Sequence, residues 1–326
     1  MSEAPIKMDL SGDVTPLFEG LKANLETAPR GFQKLFVTLF GKKYADQMYY
    51  QILQAAQAHV DVSKVFTGEA RFVDGKLIYK DENALPTMLE VKNTEENENL
   101  AGCAIEAIKE SLGHDEQGED SPISEKFFAR WRSEAIYAAS YEERQLWGKI
   151  LSQESHQPGS FSLRTLDILK NMDRDTGLLF ERACDYVVFD KKILINIDKD
   201  FGDSANAVYS LNRVDLDVLS NLGLISGVTL ADVQDPKDKK IVFAYANYYI
   251  IIETENKIHP AWCSLTDSGK QLYKIARVTN KEKVRNFCRF ILSQNAITNL
   301  ECVQFYDAEN PVMVSENMVQ TERVTI

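Results

Sequence analysis

Residues 31–40, GFQKLFVTLF, set Phe32, Leu35, Phe36, Leu39 and Phe40 at i, i+3, i+4, i+7 and i+8, one apolar stripe along a helix. Gly41 is its expected stop. Upstream, Thr15-Pro16 reads as a cap and first helical position, opening a helix to about Glu26 that Pro29 ends. A third helical stretch covers 44–59, and RFVDGKLIYK predicts a β-hairpin turning at Asp74-Gly75. Residues 80–120 are acidic and loop-like, with one short helix over 103–112, and DEQGEDSP reads as a linker. From Ile123, Phe127, Phe128, Trp131, Ile136, Tyr137, Leu146, Trp147, Ile150 and Leu151 recur at helical spacings. They predict two helices broken near Ala139-Ser140. Beyond Met172 the pattern gives a helix over 175–186, a β-rich VVFDKKILINI, and a helix within NRVDLDVLSNLGLIS stopped by Gly223. Strands over 240–253 and 257–263, a helix capped by Thr266, a helix over 282–293 and a strand in LECVQFY complete it.

The polar residues concentrate in WGKILSQESHQPGSFSLRT. Glu154, His156, Ser160, Ser162 and Arg164 fall within eleven residues. A Ser–His pair oriented by Glu154 would suit nucleophilic catalysis. No G-x-S-x-G context presents the serine, however, and every residue has a structural use. Pro158-Gly159 signals a turn, Ser162 or Ser160 can cap the next helix, and Phe161 can tuck beneath. The structural turn is the preferred reading, with no catalytic residue assigned. Trp147 and Thr165 flank it on the two helices.

This stretch also resembles the signature of an uncharacterised bacterial and prophage family, W-G-x-I-L-x-x-E…P-G-S-F-S-x-R-T-L. The matching residues are Phe127, Phe128, Glu143, Leu146, Trp147, Gly148, Ile150, Leu151, Glu154, Pro158, Gly159, Ser160, Phe161, Ser162, Arg164, Thr165 and Leu166. The match is close over 123–175 and looser to about residue 227. Ser152-Gln153 stand where Ala-Gly is usual. The family is similar to the abortive-infection alpha proteins, which share a helix, a short proline-containing turn and a second helix. That resemblance implies a part in defence against phage or in prophage exclusion, and brings no catalytic residues with it.

Toward the C-terminus, helix, Leu222-Gly223-Leu224-Ile225, strands, then Leu265-Thr266-Asp267-Ser268-Gly269 and a helix follow the order of a winged-helix domain. Reading DNA with such a fold needs a basic recognition helix. Residues 213–222 instead carry Arg213 against Asp215 and Asp217. Over 196–235, Asp198, Asp200, Asp203, Asp215, Asp217, Asp232 and Asp235 oppose only Lys199 and Arg213. Phosphate contact there is repulsive. The chain's formal net charge of −12 points the same way. Two basic surfaces remain. Lys270, Lys274, Arg277, Lys281, Lys283, Arg285 and Arg289 face only Asp267 and Glu282 in their own segment, a face for an anionic partner. Residues 30–43 hold Arg30, Lys34, Lys42 and Lys43 and no acid, which suits a membrane surface, although a core-facing helix is the commoner case. Tyr245, Tyr248 and Tyr249 offer base stacking, or packing within a strand.

The five cysteines are scattered without a C-x-x-C pair, as expected of reduced thiols in a cytoplasmic protein, and no metal or cofactor is expected. No window approaches the ~18 apolar residues of a membrane span, and the N-terminus lacks a secretory pattern. The expected fold is α+β and predominantly α-helical. Its divisions are an N-terminal helical region with a hairpin and acidic segment (1–114), a central helical domain with the signature turn (121–195), a winged-helix-like domain (196–306) and a polar tail (307–326). The expected function is a non-enzymatic interaction or sensor protein in phage defence, a homo-oligomer meeting a phage or host protein. A nucleic-acid regulator using 270–289 is the alternative, and a membrane-surface effector using 30–43 ranks below it.

Overall fold

A computed structural model of the chain describes residues 25–79, 88–112, 121–197, 211–230, 240–254, 258–277, 280–293 and 299–304. The linker residues 115–120, the aspartates Asp198, Asp200, Asp203, Asp232 and Asp235, Lys199 and the tail 307–326 lie outside the described residues, as does most of the helix expected over 15–26. The fold is α+β, largely helical with small antiparallel sheets. It divides between Leu166 and Asp167 into two compact units.

The first unit holds α1 (Arg30–Phe40), α2 (Ala45–Gln57), α3 (Val62–Phe66), the hairpin β1 (Ala70–Val73) and β2 (Lys76–Tyr79), α4 (Met88–Leu112), α5 (Glu125–Ala135) and α6 (Tyr141–His156). The unit's boundary falls inside α7 (Leu163–Lys170). The stripe of α1 is core: Phe32, Leu35 and Phe36 are fully buried, with Tyr49 of α2 edge-on to both rings. Burial of each such side chain stabilises by about 1.5–3 kcal/mol relative to exposure. The side of the helix that carries these three residues is therefore turned to protein, while Val37 is exposed.

Residues 88–112 form one long helix, where the sequence suggested a loop and a short helix. The half from Ala101 to Ile108 is buried and propagates helix back through the acidic half, whose glutamates are good helix formers. That buried half lies along α6. At their crossing a Cβ added to Gly148 would sit 2.6 Å from Glu106 Cβ and 2.8 Å from the Ala107 backbone nitrogen. Glycine is what lets the two backbones approach. Trp131 of α5 closes the same core, fully buried, donating its indole N–H to the Trp147 carbonyl at 2.9 Å. At the start of α6, Ser140 and Glu143 form a reciprocal cap.

The second unit holds α8 (Arg174–Cys184), β3 (Val187–Val188), β4 (Lys192–Asn196), α9 (Arg213–Asn221), β5 (Ile225–Leu230), β6 (Lys240–Tyr245), β7 (Tyr248–Glu253), β8 (Ala261–Leu265), α10 (Asp267–Ala276), α11 (Lys281–Leu292) and β9 (Asn299–Gln304). One sheet runs β3-β4-β8-β5 and a second β6-β7-β9, all antiparallel. The single strand expected over 240–253 is a hairpin. Tyr245 faces Tyr248 in register, and Ala246 takes a positive φ of 50°. Only Ala246 and Asn247 separate the two apolar runs, and no glycine or proline marks the turn. α11 covers the second sheet with Val284, Phe287, Cys288 and Ile291, and Phe287 stacks on Tyr245 at 4.2 Å. Buried in this way, Tyr245 and Tyr248 are not offered to bases, and Tyr249 is buried as well. The Leu-Thr-Asp-Ser-Gly segment ties the end of α9 to the start of α10. Thr266 Oγ1 donates to the Gly223 carbonyl at 2.6 Å and accepts from Gly269 N, while Thr266 N donates to the Leu224 carbonyl. A Cβ on Gly269 would fall on that Leu224 oxygen.

Two alanine substitutions separate backbone approach from helix propensity. Gly148→Ala should lower stability by about 1–3 kcal/mol through overpacking, despite alanine's better propensity. Gly177→Ala in α8, where the nearest atom is Met172 Sδ at 3.8 Å, should raise it by up to about 1 kcal/mol. Thermal unfolding of the full chain checks both signs.

Candidate functional site

The signature turn is built around one carboxylate. Glu154 lies in the last turn of α6 and is 1% exposed. Its Oε1 accepts from Gly159 N at 2.7 Å and its Oε2 from Phe161 N at 3.1 Å. Burial pushes its pKa above the usual carboxylate range, and the backbone N–H groups of residues 159, 161 and 160 pull against that shift. Gly159 supplies the positive φ, 87°, that lets successive N–H groups converge. The Ser160 hydroxyl donates to the Gln157 carbonyl at 2.7 Å. Ser162 Oγ caps α7, accepting from Thr165 N at 3.2 Å and bonding Thr165 Oγ1 at 2.9 Å. Phe161 and Trp147 are buried, Pro158 is half-buried, and Arg164 is exposed.

His156 is held from three helices. Its Nδ1 lies 2.8 Å from the Ser152 carbonyl, one turn back on α6, and its Nε2 lies 3.5 Å from Ser111 Oγ of α4. Gly31 of α1 lies against the ring: a Cβ there would come within 2.6 Å of Cδ2. Glu154 spends its oxygens on backbone N–H groups and Ser160 its hydroxyl on a carbonyl, so the Glu–His–Ser relay considered from sequence is not assembled. Gly31 and Ser111 carried no sequence signal, because they reach His156 only through tertiary packing. Ser152, fully buried on the same helix, has a side-chain oxygen with no hydrogen-bond partner.

The basic face over 270–289 is partly neutralised from within the unit. Lys283 pairs with Asp185 at 2.7 Å and Arg277 with Asp190 at 3.2 Å; Lys270 pairs with Asp267, and Arg285 and Arg289 with Glu282. Lys274 and Lys281 are exposed. Asp185 and Asp190 lie about a hundred residues upstream, so a local charge count does not see them. On α9, Arg182 of α8 takes Asp215 at 3.0 Å. The outward side of α9 exposes Val214 at 69% and Val218 at 37%, one turn apart, with Leu178 on neighbouring α8 at 53%.

The first unit also carries a cleft of about 650 Å³ between α1 and the start of α5. Arg30 and Lys34 lie on one side of it, Glu125 on the other, and Val37, Ile123 and Phe128 supply apolar surface. Among the described residues no group of three or more His, Cys, Asp or Glu could hold a metal ion, and no helix is long and apolar enough to cross a membrane. Three buried thiols are pushed up by burial, Cys103 to about 12 and Cys263 to about 11, with Cys184 higher still.

A family model described as a protein of unknown function (DUF2806) matches residues 87–289. No curated protein and no solved structure matches the chain.

Glu154→Gln should lower stability by about 1–3 kcal/mol, since an amide NH₂ would face one of the two N–H donors. Chemical denaturation measures the loss. Ser152→Ala should raise stability by about 1 kcal/mol by removing the buried, unpartnered hydroxyl, a shift that differential scanning calorimetry resolves.

Proposed function

The chain belongs to the DUF2806 family of unknown function, and on that premise we propose that it is a non-enzymatic interaction protein acting through protein contacts, including self-association, in bacterial defence against phage. The observation that carries the reading is the outward side of α9. Val214 and Val218 stand in water beside Asp217, an apolar and acidic surface suited to protein and unsuited to phosphate. The defence context rests on the resemblance of the signature turn to abortive-infection proteins, and the site residues of that turn act as architecture.

We read the second unit as winged-helix-like. Support comes from the order β4-β8-β5 in one sheet, with α9 leading into β5 and α10 following β8. In that reading the β6–β7 hairpin is inserted between the two wing strands. α9 then occupies the position of a recognition helix, and its valines replace the arginines and lysines that reading DNA requires. The nucleic-acid alternative over 270–289 has less support, since Asp185, Asp190, Asp267 and Glu282 engage five of its seven cations. The membrane alternative has less again, since the apolar stripe of α1 is in the core.

Val214→Asp with Val218→Asp tests this. Both side chains are exposed, so folding should persist. In sedimentation velocity the wild-type chain should associate, and the double variant should do so at least tenfold more weakly. Expression of the wild type in a bacterial host should reduce plating of a sensitive phage, and the double variant should restore it. Retention of duplex DNA on filters that falls steeply with salt would instead favour the regulator.

A further inference from the structure

The β1–β2 hairpin has one closed edge and one open edge. Its turn, Asp74-Gly75, takes positive φ at both residues, 51° and 72°, and sets Val73 opposite Lys76 and Arg71 opposite Ile78. Val73 and Lys76 are the hydrogen-bonded pair that closes a two-residue turn. Bonded and non-bonded pairs then alternate, so the backbone groups of Phe72 and Leu77 point away from the hairpin on opposite sides. On the β1 side they are met. The Gln51 carboxamide of α2 donates to the Phe72 carbonyl at 2.8 Å and accepts from Phe72 N at 2.7 Å, in the manner of a neighbouring strand's peptide group. On the β2 side, β1 is the one strand that pairs with β2 among the described residues, and the Leu77 N–H and C=O meet no hydrogen-bond partner there. Tyr79, two residues on, presents the same groups along the same edge. The outward face beside that edge carries Arg71, Val73, Lys76 and Ile78, with Val73 39% and Ile78 44% exposed. In a chain of net charge −12 this face holds two cations and no acid, Asp74 lying in the turn itself. Neither cation has an ion-pair partner among the described residues.

We propose that the outer edge of β2 receives an extended segment of a partner protein, apolar with an acidic end, as an added third strand. Leu77 and Tyr79 bind its main chain. Running antiparallel, it sets apolar residues across from Leu77 and Ile78 and an acidic residue across from Lys76, with Arg71 of β1 on the same face. A lysine on an open edge guards it against uncharged strands, and the same charge selects an acidic one. A second copy of β2 fits less well, because it would bring a second Lys76 and Arg71 to that face. The hairpin lies in the first unit and outside residues 87–289, so the contact stands independently of the α9 reading and of the region the family model matches.

The test is fluorescence anisotropy of a labelled peptide, serine-threonine-valine-valine-glutamate-glutamate-serine, titrated with the full chain. It should bind, and the peptide with lysine for both glutamates should bind about tenfold more weakly. N-methylation of both valines should abolish binding, because adjacent N–H groups point to opposite edges and one of them is needed whichever edge docks. Leu77→Pro removes the outward N–H while leaving the bonds to β1, and should abolish binding too. If that variant perturbs the circular dichroism, Arg71→Glu with Lys76→Glu, both exposed, should still weaken binding by about tenfold. Val214→Asp with Val218→Asp should leave it unchanged, which separates this contact from that of α9. No anisotropy change at millimolar concentration would overturn the proposal. So would equal binding of the lysine or the N-methylated peptide, or binding that neither hairpin variant weakens. Self-association of the chain that Leu77→Pro abolishes in sedimentation velocity would give the edge to a second copy and overturn it as well.

Discussion

A carboxylate with almost no access to water must be solvated by something, and at Glu154 that something is the main chain of residues 159–161. Removing the charge from water costs several kcal/mol, so the turn is constrained to the shape that returns N–H groups to it. Gly159 is required because its left-handed conformation aims those groups inward, and Ser160 and Ser162 complete the chain's own satisfaction on either side. The exit direction of α6 and the entry direction of α7 both follow from that one group. A residue that looks like chemistry in a sequence is here the internal ligand of its own loop.

The rest of the first unit shows the same economy of contact. Gly148 lets α4 and α6 approach to backbone distance, and Gly31 lets α1 approach the His156 ring. The histidine is the place where three helices are registered against one another, through Gly31, Ser111 and the Ser152 carbonyl. In the second unit, Thr266 and Gly269 do the corresponding work, locking α10 onto the carbonyls that end α9. Both units are thus organised by small residues at crossings, with the large apolar side chains filling the space those crossings define.

Much of this was legible in the chain itself. The stripe of α1, the Asp74-Gly75 hairpin, the break before Ser140, the stop at Gly223 and the Thr266 cap are all local signals, decided by residues within one or two turns of each other. What escaped was non-local. The acidic half of α4 reads as loop until it is seen as an extension of a half that packs. The turn at Ala246 carries no glycine, and β5 lacks strict alternation. Asp190 and Asp185, the partners of Arg277 and Lys283, lie upstream of α9 in the chain, and the residues across the cleft from Arg30 and Lys34 come some ninety positions later. Pattern along the chain identifies elements. It does not say which charges will meet.

The three-stranded sheet has an order of assembly written into it. β7, YYIIIE, is the middle strand, flanked by β6 at once but by β9 only when residues 299–304 exist. During synthesis one edge of the most β-prone segment in the chain stands open for a few seconds. Lys240 and Glu253, paired at 3.6 Å at the hairpin's open end, place charge beside that edge, and α11 is made before β9 arrives. A chain that lacked residues 299–304 would leave that edge of β7 unpaired, a template for strand addition.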